Sequence, residues 1–435
     1  MAWQHWRFAV GFNSREGLVL HDVSYFDAQE GRTRAVMHRG SIVEMAVPYG
    51  DPRPPYMRKC ALDAGDYGLG FAANSLTLGC DCLGHIHYFD GVVNDSAGEP
   101  VVIKNAVCMH EEDVGLLWKH LDYRSGQAQS RRARRLVLSF IMTAINYEYA
   151  FYWYFGLDGS ISHEVKLTGL LSTSPPAPDE LAAGGPAGSA PTHGILVSRG
   201  VNAQHHQHFF CARLDMSVDD AAGGGAACTV SEVDAVVDAA PAEGDGAPPP
   251  PGNGFTSLET PLRSTHAAQR LTASDRGRFW KVNNPGVRHP VTGAPVAYAL
   301  KPGGGARLMA APNSAVARRA AFATRSLWVT PHHDEQRFPA GMHCVQSKAC
   351  SGLSLWTRDD EPLEGRDPVL WYAFGVTHIV RPEDWPIMPC ESIGFTLKPW
   401  GFFHVNPSID VPPVRDAHSK LHTGSATPAC GGCGA

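Results

Sequence analysis

Glycine and proline set the first limit on this chain: 45 Gly and 33 Pro in 435 residues, spread over most of its length, leave few windows for a sustained helical repeat. The segments between these breakers read as strands. Gly17 to Val23, Arg135 to Met142, Ile195 to Val201 and Gly394 to Lys398 are short, rich in β-branched or aromatic residues, and bounded by turn formers. They predict an all-β protein built as a large β-sandwich with a few short helices. Helix is predicted only over short pieces, Glu111 to His120 and Ala315 to Ala323. Pro175 to Ala190 and Ala221 to Gly254 are low in large apolar residues and cannot bury enough surface to order themselves. Strand-like segments flank both, so they are expected as loop insertions, about 175–192 and 221–256, in one domain over 1–415, with a disordered tail over 416–435.

A hydrophobic content of 43% supports a sizeable core, and a formal net charge of -6 offers no broad basic surface. The one dense basic run, Arg131, Arg132, Arg134 and Arg135, is too short to suggest nucleic acid as a partner. No run of apolar residues is long enough to span a membrane, and the start MAWQHWRFAV lacks the pattern of a secretory signal. A soluble protein is expected, cytoplasmic by default, since no SKL-type peroxisomal signal ends the chain. Eleven cysteines are too few for a disulfide scaffold, and their odd number leaves at least one unpaired in a monomer. The Cys430 to Cys433 CxxC pair lacks the strand and helix of a redox motif and is read as inert.

Metal chemistry is suggested by His206-Gln207-His208. On a strand, residues two apart share a face, so His206 and His208 can present two imidazoles to one ion. His378, ending an apolar run from Val369, is the best placed third ligand. Three imidazoles suit copper or zinc, and ligand chemistry alone does not choose. A HxH pair is more often an ordinary surface or core pair, and His85/His87 and His332/His333 are assigned no metal. A zinc hydrolase is disfavoured because no carboxylate stands near the HxH in a metalloprotease arrangement.

The stretch Thr143-Ala-Ile-Asn-Tyr147-Glu148 is similar to the T-x-x-N-Y-(D/E) pattern of copper amine oxidases. HHQHFF with ARLD after it, FGVTHIVRPEDWPIMP, VPYGDP, LDAGDYG and GCDCLG also occur in that family's order. The resemblance spans about Trp6 to Pro413. It implies a primary-amine oxidase with Cu(II) on His206, His208 and His378 and a topaquinone cofactor formed from Tyr147. It implies Asp63 as the base that takes the substrate Cα proton, Tyr49 as a hydrogen-bond partner of the quinone, and Asn146 as a residue that orients its ring. A calcium site is implied at Asp215, the Met216 carbonyl, Asp367 and the Pro368 carbonyl, with Ser217 where an aspartate often stands. A Cys82–Cys108 disulfide, and a homodimer joined by exchanged β-hairpin arms, also follow from the resemblance.

Two departures matter. Ala61 stands where the family usually has a large gating side chain, which predicts a wide entrance open to bulky amines. The family's small α/β domains before the segment at Trp6 have no counterpart, so the alternative function is a copper-binding β-sandwich without turnover.

Overall fold

The computed structural model describes residues 1–176, 193–220, 228–238 and 253–421. Among them, antiparallel strands form two large sheets and one small one. The first is eight-stranded: β1 (Ala2–Trp3), β2 (Trp6–Asn13), β3 (Gly17–Asp27), β4 (Arg32–Pro48), β5 (Cys60–Ala61), β14 (His206–Met216), β19 (Leu327–Pro331) and β20 (Pro368–His378). The second is ten-stranded: β6 (His87–Asn94), β7 (Pro100–Leu121), β8 (Ala128–Ala144), β9 (Tyr147–Gly156), β10 (Ile161–Gly169), β15 (Thr229–Val237), β16 (Phe255–Pro261), β17 (Phe279–Arg288), β18 (Pro295–Pro302) and β21 (Met388–Trp400). The third joins β11 (Thr173–Ser174), β12 (Gly194–Ser198) and β13 (Val201–Gln204).

Pattern explains these placements. In β10, ISHEVKLTG buries every second residue, so one face meets the core. β14, HQHFFCARLDM, is buried throughout, as expected for a strand between β4 and β20 with both faces covered. Phe8 of the first sheet stacks on Phe155 of the second with ring centres 4.5 Å apart, and Phe151 of β9 meets Phe210 of β14 edge-on. Each such ring stabilises the sandwich by about 1.5–3 kcal/mol through burial.

The all-β sandwich predicted from the sequence is the observed architecture, and Ala315–Arg319 is helical. Three local expectations fail. Glu111 to His120 is strand, the second half of β7, because Glu111, Glu112 and Asp113 pair across to Arg134, Arg135 and Arg132 of β8. That same pairing neutralises three of the four arginines in the basic run. Ile195 to Val201 is two strands broken at Gly200, whose φ of 73° suits a glycine turn. Within the expected 221–256 insertion, Thr229–Val237 is β15, held between β16 and β17, with Val230 and Val233 buried on its two faces. The remaining parts, 221–227 and 239–252, lie outside the described residues, as do 177–192, Cys430 and Cys433.

Candidate active site

His206, Phe210 and His208 share one face of β14, and Tyr147, Tyr149 and Phe151 share the facing side of β9. The two rows meet in order: Tyr147 against His206 and His208, Tyr149 against His208, Phe151 against Phe210. Antiparallel register places His378 of β20 directly opposite His206. The sandwich therefore brings three imidazoles to one point, with one ligand atom from each within 4.8 Å of the others and all three side chains buried.

Hydrogen bonds behind the rings decide which nitrogens face inward. His206 Nδ1 lies 2.8 Å from the Gln204 carbonyl, which can only accept, so Nδ1 carries the hydrogen and Nε2 keeps its lone pair. His378 Nε2 donates to Asp384 Oδ2 at 2.9 Å, which leaves Nδ1 free to ligate. Burial raises the Asp384 carboxyl, but hydrogen bonds from His378 and Arg381 outweigh it and keep the group below the usual carboxylate range. His208 Nδ1 meets the Tyr149 hydroxyl at 3.0 Å, while its Nε2 is buried without a hydrogen-bond partner. Burial lowers His206 to about 3 and drives His208 well below its ordinary range, so both imidazoles are neutral ligands at physiological pH. An orphaned buried nitrogen beside two inward lone pairs is the donor set of a metal ion.

Tyr147 opens β9 immediately after the two-residue link Ile145-Asn146 from β8. Ile145 has φ 58°, a left-handed conformation costly for a β-branched residue, and Asn146 N–H closes the turn on the Ala144 carbonyl. The Asn146 amide donates to the Leu170 carbonyl at 2.7 Å and so braces the turn rather than touching the Tyr147 ring. The Tyr147 hydroxyl stands 2.9 Å from His206 Nε2 and 3.4 Å from His378 Nδ1, with Met388 Sδ at 3.9 Å. Burial, then the nearby Tyr49, raises this phenol, so without a cation beside it the hydroxyl holds its proton.

Tyr49 enters through its ring, which stacks on His206 at 5.3 Å, and its phenol is pushed up to about 12 by burial. The Lys59 ammonium lies 4.6 Å above the same ring. Asp63 begins α1 (Asp63–Asp66), a single turn, and is 5% exposed. Burial, with Glu44 and Asp66 adding to it, lifts its carboxyl to about 7, against the pull of Arg319. Its charge also acts on Tyr49 and Tyr149.

At the far end of the same strand pair, Asp215 meets Arg213 at 3.2 Å and His332 at 3.5 Å. Asp367 is raised to about 7 by burial and by Asp215, and its Oδ1 and the Ser217 Oγ are buried without partners. Pro368 faces Pro331 at the start of β20, and Met216 ends β14. Cys82 and Cys108 pack together with Leu76 as free thiols, so the bond implied between them is not formed in this structure. Asp384 and Met388 both lie in FGVTHIVRPEDWPIMP, where nothing in the sequence marks either for a part. The spacing of Asp384, six residues past His378, carries no periodic signal, and only tertiary folding brings it back.

A buried three-histidine centre with a phenol among its ligand atoms, set in a β-sandwich, defines a metal-binding protein. The copper amine oxidase enzyme-domain model matches residues 1–418, and the chain belongs to the copper amine oxidase family. It is 46% identical to the peroxisomal diamine oxidase 1 of Nicotiana tabacum, over 98% of this chain and 52% of that one. It is 45% identical to the primary amine oxidase of Arthrobacter sp. (strain P1), over 99% of this chain and 62% of that one. The crystal structure of a copper-containing benzylamine oxidase from Hansenula polymorpha superposes with a TM-score of 0.85 at 37% identity, covering 95% of this chain and 61% of that one. The chain thus spans only part of the length of the relatives it matches. The family uses copper and topaquinone. No helix among the described residues is long and apolar enough to cross a membrane.

Proposed function

We propose that this chain oxidises primary amines: R–CH2–NH2, O2 and water give the aldehyde, ammonia and hydrogen peroxide. The observation that carries the reading is the Tyr147 hydroxyl, 2.9 and 3.4 Å from the two nitrogens whose outward partners leave them as lone-pair donors. His206 Nε2, His208 Nε2 and His378 Nδ1 hold Cu(II), and Tyr147 is the topaquinone precursor. When present, that pair supplies an electrophilic quinone that accepts the amine's electrons and a metal that returns them to O2. Asp63 takes the substrate Cα proton, and its raised carboxyl suits a base that works near neutrality.

Tyr49 fixes His206 by stacking and supplies a hydroxyl that stays protonated, a hydrogen-bond donor toward the modified ring. Asn146 limits the swing of residue 147 through the braced turn. Names of relatives cover diamine, primary amine and benzylamine oxidation, and Ala61, partly exposed on β5, supports acceptance of arylalkyl amines. The β7–β8 hairpin, with Val114, Leu116 and Tyr123 exposed, supports a homodimer in which arms embrace a second copy. Calcium at Asp215, Met216, Asp367 and Pro368 is supported by the orphaned Asp367 Oδ1 and opposed by Arg213. The cluster that Cys82 and Cys108 share supports a bond between them on oxidation.

The test is aerobic copper loading of the purified full chain followed by benzylamine. Amine-dependent peroxide, and a visible band shifted by phenylhydrazine, are the expected results. A colourless copper complex with no peroxide would leave a metal-binding sandwich without turnover.

A further inference from the structure

Glu44 is a fully buried carboxylate in the middle of β4, and the chemistry above gives it no part. Its Oε1 accepts the backbone N–H of Gly65 at 3.0 Å and that of Met45 at 3.2 Å. Its Oε2 lies 3.5 Å from an Arg15 nitrogen and 3.9 Å from the Cys344 thiol. Gly65 belongs to α1, the turn that Asp63 opens, and Leu62 at its start offers no capping side chain. Glu44 therefore satisfies, from another strand, a donor that the helix start leaves free. The fit is close: a Cβ on Gly65 would meet Glu44 Oε2 at 2.8 Å and Cys344 Sγ at 2.0 Å. β4 pairs with β14 in the register Glu44 to Cys211, and β14 carries His206 and His208 further along. One carboxylate thus ties the turn of Asp63 to the frame of the metal centre.

A neutral acceptor could cap Gly65, so an ionisable group buried there points to a further use. The ionisable groups around Glu44 are Arg15, Arg319, Asp63, Asp66 and the thiols of Cys60, Cys211 and Cys344. Arg319 is bound to both oxygens of Asp66 at 2.7 Å, and its pull on Asp63 is weaker than the push of Glu44. Burial lifts Glu44 to about 7, and among the charged neighbours of Asp63 it has the largest effect.

We propose that Glu44 is a positioning residue for Asp63, locking the turn that carries it and opposing its negative charge so that the two carboxyls titrate as a pair. The inference rests on the reading of Asp63 as the base. It is tested on the full chain by infrared titration of the Asp63 carboxyl, taken as the difference from D63N, in the wild-type and E44Q backgrounds, beside kcat/KM against pH with benzylamine. E44Q keeps an amide oxygen for the Gly65 N–H and removes the charge. The Asp63 midpoint is expected to fall by roughly one pH unit, and the acidic limb of kcat/KM to move the same way. E44A, which also loses the cap, is expected to lower kcat at every pH; if it does not fold, E44Q carries the test alone. An Asp63 midpoint unmoved in E44Q overturns the proposal, whatever the activity. A midpoint that shifts in a protein that oxidises no amine would instead sink the oxidase reading and leave the link between the two carboxyls standing.

Discussion

Strands β14 and β20 carry a different site at each end. At one end His206 faces His378; at the other, Asp215 lies next to the end of β14 and Asp367 directly precedes β20. The imidazole end is finished: the Gln204 carbonyl, Asp384 and Tyr149 hold the outward nitrogens, and the inward ones converge. The carboxylate end is not. Arg213 already takes Asp215, Ser217 supplies a hydroxyl rather than a charge, and Asp367 keeps an oxygen without a partner. One ladder thus carries an imidazole centre whose donors are held before an ion arrives and, at its other end, a carboxylate pair that the proposal gives to a hard cation.

The sharpest way to break this contrast is to remove the phenol. Y147F is expected to reduce amine oxidation by about a thousandfold or more while leaving copper binding in place, which metal analysis beside a peroxide assay would check. Loss of copper along with activity would mean that the ring builds the site rather than serving it. D63N should cost about 10²–10⁴ in kcat/KM, with the coloured cofactor still formed. In the wild type, kcat/KM should rise with pH through about 7, since the base works when ionised and its carboxyl is lifted to about 7. A flat profile across that window would remove Asp63 from the role.

Outer partners give smaller effects. D384N, which removes the anion behind His378, is expected to weaken copper binding by about 10–100-fold, measured by competition with a chelator. At the other end, calcium should raise the wild-type Tm by about 2 °C or less, and S217D should enlarge that rise by adding the missing carboxylate. If calcium stabilises the wild type strongly, the carboxylate end is as complete as the imidazole end and the contrast fails.

Much of this was legible in the sequence because it is periodic. HxH on an alternating strand announced two ligands on one face, and the run from Val369 delivered the third. Breakers and β-branched segments announced the sandwich. β7 was hidden because Glu111 to His120 has helix-forming residues whose charges find their arginine partners across on β8. β15 was hidden because it lies beside a glycine- and alanine-rich stretch and, buried on both faces, shows no alternation. Glu44 was invisible for a different reason: inside an apolar strand, a lone acid gains meaning only when folding sets Gly65 against it.

The central claim is that residue 147 is converted among the three imidazoles by copper and oxygen alone. The most direct measurement is the mass of the peptide carrying residue 147, before and after copper-free protein is loaded with copper in air. The account predicts a gain equal to two oxygens less two hydrogens, absent when oxygen is excluded. An unchanged tyrosine in copper-loaded, aerated protein would contradict it.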